Sequence, residues 1–136
     1  MAREFHLSVV GPDKSVVDES ATAVVVPGID GYFGVLAGHV PLIAALKPGI
    51  MEFTDPTNNK HHVYLGGGFV EVSGEKVSIL ADEAQRADSI DIEVAEKALE
   101  EARKSLRGED STTNSTDAVM EIEKAMQRIK AARAVR

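Results

Sequence analysis

The 136-residue chain has no cysteine, which excludes disulfides and every metal site that needs a thiolate. It is short of positive charge as well. Against 22 Asp and Glu stand 15 Lys and Arg, for a formal net charge of −7, whereas a dedicated nucleic-acid binder shows a basic footprint. No run approaches the roughly 20 apolar residues that a membrane-spanning helix needs. The N-terminus, MAREFHLSVV, enters an alternating pattern almost at once. It has neither the apolar core of a signal peptide nor the Arg/Ser-rich character of a transit peptide, so a cytoplasmic chain is expected. No Ser-His-Asp arrangement or carboxylate pair is supported by spacing, and no catalytic residue is assigned.

What is present is ordinary for a globular protein: 43% apolar and 27% charged residues, enough for one domain with a core or a small domain plus an appendage. The chain has two halves of different period. Up to about residue 88, Phe5, Leu7 and Val9 alternate with polar neighbours, as do Val63 and Leu65, Val70 and Val72, and Val77 and Ile79. Such alternation describes strands with one buried face. Val24-Val25-Val26 reads as a strand buried on both faces. Turn signals at Gly11-Pro12, Pro27-Gly28, Pro48-Gly49, Asp55-Pro56 and Ser73-Gly74 cut the pattern into short strands, which implies a β-sandwich or flattened barrel.

From about residue 90 the period becomes helical. Asp91 is a good N-cap and Gly108 a stop, and Ile92, Ala95, Leu99, Ala102 and Leu106 form one stripe. A polar loop from Glu109 to Asp117 returns the chain antiparallel, and a second stripe follows at Val119, Ile122, Met126 and Ile129. The expected fold is therefore mixed β then α, with residues 1–88 a β-sandwich and 89–136 a two-helix hairpin. Helices of this length with alanine-based seams bury little surface and are marginal alone, so the hairpin is expected to be weakly docked and able to change conformation.

The block Gly28 to Leu42, GIDGYFGVLAGHVPL, is too rich in glycine for a core helix or a plain strand. It reads as a sharply folded segment that buries Phe33, Val35 and Leu36 and exposes a tip at Asp30-Gly31-Tyr32. Gly66-Gly67-Gly68 lies between strand patterns with no Walker lysine after it, so it reads as a structural turn and not a phosphate cradle. His61 and His62 point to opposite faces of a strand, which argues against a shared metal. His39 has no catalytic partner and reads as a packing or subunit contact.

Gly31-Tyr32-Phe33-Gly34-Val35-Leu36 with Gly38-His39-Val40-Pro41-Leu42 resembles the G-x-x-G-[IVL]-[LY]-x-x-H-x-P-L signature of the ε subunits of F-type ATP synthases, called δ in mitochondria. Leu46-Lys47-Pro48-Gly49, the segment from Tyr64 to Val72 and the strand end from Val77 to Asp82 resemble further motifs of that family, in the family's order. The resemblance implies a non-catalytic subunit of the central stalk, joining the γ subunit to the membrane-embedded c-ring on the cytoplasmic face of a bacterial membrane. It implies c-ring contact at Asp30, Gly31 and Tyr32 and γ contact at His39. It also implies a hairpin that regulates ATP hydrolysis, its basic face of Lys124, Arg128, Lys130, Arg133 and Arg136 meeting an acidic segment of the catalytic β subunits within the α and β assembly. Some members bind ATP through an [IL]-D-x-x-R-A motif. Here Ile90, Asp91 and Ala95 match, but Val94 replaces the arginine. Lys124 and Arg128 remain as phosphate contacts, but a bidentate guanidinium is lost. The expectation is a capped helix start and no required cofactor. The competing reading is a free-standing β-sandwich enzyme or ligand carrier with a helical cap.

Overall fold

A computed structural model describes residues 3–108 and 115–135. The alternating segments form eight strands among these residues: β1 Phe5–Val10, β2 Ser15–Ala21, β3 Ala23–Gly28, β4 Gly31–Leu36, β5 Leu42–Thr54, β6 Lys60–Ser73, β7 Lys76–Ala81 and β8 Ala84–Arg86. A 3-10 turn, Ala87–Ser89, leads to α1, Ile92–Leu106, and then α2, Ser115–Ala134. The N-terminal β-sandwich and two following helices are the expected fold class.

The strands hydrogen-bond in the order β2-β1-β7-β6-β5-β3-β4, with β8 also on β6. Two long strands make this one sheet into two layers. The second half of β6 pairs with β7 (Phe69 opposite Leu80), whereas its first half pairs with β8 (Tyr64 opposite Gln85). β5 follows β6 throughout, from Leu42 opposite Val72 to Thr54 opposite Lys60. Between the halves lie Pro48-Gly49 on β5 and Gly66-Gly67-Gly68 on β6. The glycine triplet therefore does not separate two strands, as the sequence suggests; it is the bend within one. Phe5, Leu7 and Val9 from one layer and Val24, Val26, Met51, Phe53 and Val63 from the other share a single apolar core.

Four burial expectations change. Val25 is exposed while Val24 and Val26 are buried, because β3 has the sandwich core on one side only. Leu36 is 64% exposed, since at the end of β4 it points away from Val35, which takes the core position. On α2 part of the stripe changes: Val119 and Met126 are exposed and the neighbouring Ala118 and Ala125 are buried in their place, while Ile129 is buried as expected, with Ala131 and Ala132. Small side chains admit closer approach of helix to helix and helix to sheet, so the alanines face inward. α1 likewise buries Ala95 and Ala102, and Leu106 is exposed. The cap at Asp91 forms as expected, its Oδ1 accepting the N–H groups of Glu93 (3.0 Å) and Val94 (3.3 Å). Gly108 takes φ +81° past the helix end. Residues 109–114 of the expected polar loop lie outside the described residues, and α2 begins at Ser115 within it.

α2 packs on the outer side of the layer built from the first half of β6 and the second half of β5. There Tyr64, Ala87, Ile90, Ala131 and Ala132 form a small second apolar cluster, flanked by Ile50 and Ile92. Alternation alone puts Tyr64 on a solvent face; the helix makes it 1% exposed.

Candidate functional site

The polar centre of the hairpin's contact with the sandwich is one carboxylate. Glu83 sits in the turn between β7 and β8, where its carbonyl accepts the Gly66 N–H at 2.8 Å. From α2, Lys124 Nζ donates to Glu83 Oε2 (2.9 Å) and Arg128 Nη1 to Glu83 Oε1 (3.3 Å). Tyr64 Oη donates to the same Oε1 at 3.2 Å and accepts from Arg128 Nη1 at 3.4 Å. The Arg128 guanidinium lies 5.4 Å from the Tyr64 ring centroid, within cation–π range. Burial, then the negative charge of Glu83, pushes the Tyr64 hydroxyl above the ordinary phenol range. The hydrogen bond to Glu83 holds the Lys124 ammonium above its usual value.

This divides the basic residues that the sequence places on one face. Lys124 and Arg128 turn to the sandwich and are only 17% exposed at their side chains. Lys130 and Arg133 instead border a groove of about 500 Å³ between α1 and α2, floored by Leu99, Met126 and Ile129, with Arg133 Nη2 3.4 Å from Glu96. The reason is angular: 124 and 128 are about one turn apart on one face, whereas 130 and 133 fall on the opposite side of the helix. Arg136 lies outside the described residues. Of the nucleotide candidates, Ile90 and Ala95 are buried, Asp91 caps α1, and Val94 is exposed.

The opposite layer is bare. Phe69 on β6 and Leu80 on β7 are cross-strand partners, and both point outward with Ile43 of β5, 58%, 64% and 72% exposed. Leu36 at the end of β4 and Val40 in the connection into β5 are exposed as well. His39 sits in that connection, its N–H donating to Leu36 O (3.1 Å) and its Nδ1–H to Val40 O (2.7 Å). The sequence contains this signal: with Val70 and Ile79 inward, parity makes Phe69 and Leu80 outward, at positions where a solvated strand carries polar residues.

The β3–β4 turn is Ile29–Asp30, both exposed. Tyr32 is 49% exposed, as the sequence suggests, but its hydroxyl is tethered to β5. Its Oη accepts the Ile50 N–H at 3.0 Å, and the phenol reaches across Pro27 to Gly49, where a Cβ would lie 2.6 Å from Tyr32 Oη. The two adjacent histidines go to different partners. His61 donates to Asp55 (2.8 Å) and His62 to Glu52 (3.0 Å). His61, then the Thr57 hydroxyl and the Asn59 N–H, holds the Asp55 carboxyl well below the usual carboxylate range. Among the described residues no group of three His, Cys, Asp or Glu could hold a metal ion, and no helix is long and apolar enough to cross a membrane.

Residues 4–87 match the family described as ATP synthase, Delta/Epsilon chain, beta-sandwich domain. The chain is 39% identical over 131 residues to the ATP synthase epsilon chain of Nitratidesulfovibrio vulgaris, covering 96% of each. It is 42% identical over 126 residues to that of Trichodesmium erythraeum, covering 93% of this chain and 88% of the relative. Among solved structures it is similar to a chain of the Euglena gracilis mitochondrial ATP synthase resolved with its c-ring. That match has a TM-score of 0.81 at 30% identity, covering 96% of this chain and 81% of that one. A chain of the Tetrahymena thermophila central stalk and c-ring shares the fold, with a TM-score of 0.62 at 10% identity over 96% and 98%.

Proposed function

The chain belongs to the ATP synthase delta/epsilon family, and from that membership we propose that it is a rotor subunit, a non-catalytic part of the central stalk. In this reading the sandwich joins γ to the c-ring and turns with them, coupling ion flow to ATP synthesis, while the hairpin opposes ATP hydrolysis when it leaves the sandwich. The division falls near residues 88 and 89. The protein is held at the cytoplasmic face of a bacterial membrane through the complex. It works without a required cofactor, since Val94 stands where the ATP motif has arginine and Glu83 already engages Lys124 and Arg128.

The observation that carries this reading is the bare face of Phe69, Leu80 and Ile43. Contiguous apolar surface on a folded chain marks an interaction site, and here it occupies central strands of the layer that the hairpin leaves uncovered. We assign γ to this face, with His39 at its margin, and the c-ring to the exposed turn at Asp30 and Gly31 beside Tyr32. In the inhibited state Lys130 and Arg133, joined by Lys124 and Arg128, meet carboxylates of the catalytic α and β subunits.

Phe69→Lys with Leu80→Glu tests the assignment, the new charges being opposite in sign because the two positions are cross-strand partners. Both side chains already face water, so the free chain should unfold within about 0.5 kcal/mol of the parent for each change. Co-purification with the γ-containing complex should be lost. A doubly substituted chain that assembled as well as the parent would remove γ from this face.

A further inference from the structure

Glu83 is fixed at both ends. Its backbone is tied to Gly66, and the Gly66 backbone leaves so little room that a Cβ there would fall 2.8 Å from both Glu83 Cβ and Tyr64 Oη. The carboxylate is thereby aimed at α2, and its two oxygens are divided between Lys124 and Arg128. The apolar cover around it is small, five buried residues of which three are alanine. Apolar stabilisation scales with the area removed from water, so a contact this poor in large side chains leaves a substantial share of docking to the charges. Glu121, one turn back, is 3.9 Å from Lys124; among the described residues the remaining carboxylate contacts of the two cations come from the sandwich.

We propose that Glu83 is an intramolecular stand-in for an acidic partner: it latches the docked hairpin by holding Lys124 and Arg128, and the hairpin can offer that pair to a partner protein's carboxylates only by giving Glu83 up. The two states are mutually exclusive because both cations are withdrawn from water while docked. This deepens the regulatory reading above and rests on it for its meaning in the complex. The latch itself is a property of the free chain.

The test is amide hydrogen exchange on the full free chain. Glu83→Gln keeps the size and one accepting oxygen, turns the other into an amide donor that neither cation can use, and removes the charge. At low salt, α2 amides should exchange about tenfold faster in E83Q than in the parent, with protection of β1 and β7 unchanged. Salt raised towards 1 M, where the screening length falls to about 3 Å, should speed the parent's α2 and leave E83Q nearly insensitive. Glu83→Lys combined with Lys124→Glu should recover protection that Glu83→Lys alone loses. Poly-glutamate, the probe for partner carboxylates, should bind E83Q several-fold more tightly than the parent. Equal α2 protection in E83Q and parent, with the strands intact, overturns the latch; equal poly-glutamate affinity overturns the competition. A complex whose hydrolysis ignored the hairpin would overturn the regulatory reading alone.

Discussion

Gly68 has the least room of the eleven glycines. At φ +134° an added Cβ would lie 2.1 Å from Leu80 O and 2.8 Å from Ala81 Cα, both backbone atoms of β7. Neither can rotate away, so Gly68→Ala must move a strand. The expected cost is about 2–4 kcal/mol, combining left-side backbone strain with overpacking. Gly74 provides the control: at φ +61° with open space around it, Gly74→Ala carries only the conformational penalty, about 1 kcal/mol. Urea midpoints of the two variants separate these costs, and equal midpoints would dismiss the steric account. The sequence marks the Gly66–Gly68 triplet as structural because no Walker lysine follows. What the third glycine avoids is not legible there, since the approach of Leu80 depends on the register of β6 on β7, which sets Gly68 opposite Ala81. Glu83 is illegible for the same reason. Nothing local distinguishes it from any surface acid, and its importance comes from a helix that begins at Ser115.

Among the elements, α1 is written most plainly in the chain. A cap and a stop are local devices, so Asp91 and Gly108 bound it as the sequence indicates. Asp91→Ala should remove about 1 kcal/mol of helix stability, visible as roughly fivefold faster exchange of α1 amides, while Asp91→Asn keeps most of it. Unchanged α1 exchange in the alanine variant would mean that docking, not capping, fixes the helix start. α2 is less legible because two stripes one residue apart both fit its period. Hydropathy favours Val119 and Met126; close packing favours Ala118, Ala125 and Ala132, and packing decides. The same contest explains Val25 and Tyr64. Strand alternation tells inward from outward, but not which outward face a later helix will cover.

On the scale of the whole molecule, the two layers have different fates: the hairpin covers one, and the other stays bare around Phe69 and Leu80. A chain ending after Ser89 should therefore keep its strands and its binding to γ, with ATP hydrolysis by the complex unchanged or raised. Its Tyr64 hydroxyl, held above the ordinary range by burial and by Glu83, should fall back towards that range in an absorbance titration as the helix cover is removed. Loss of γ binding on truncation would refute the division of labour between sandwich and hairpin. The bent strands β5 and β6 tie the layers together, so the truncated protein is still one body.

The connectivity of the bare layer also sets an order in time. β1 pairs in parallel with β7, Val9 opposite Ile79 and Val10 opposite Leu80, although every other sandwich strand except β8 is made between them. During synthesis the β1–β2 hairpin can form within microseconds of emerging, yet one edge of β1 stays open until Ala81 has left the ribosome. Pairing across that distance closes slowly, on the millisecond-to-second scale typical of sheets with distant partners. The first strand to be made is thus among the last to be finished, and through that interval its unpaired edge is the part of the nascent chain most in need of protection from a second copy.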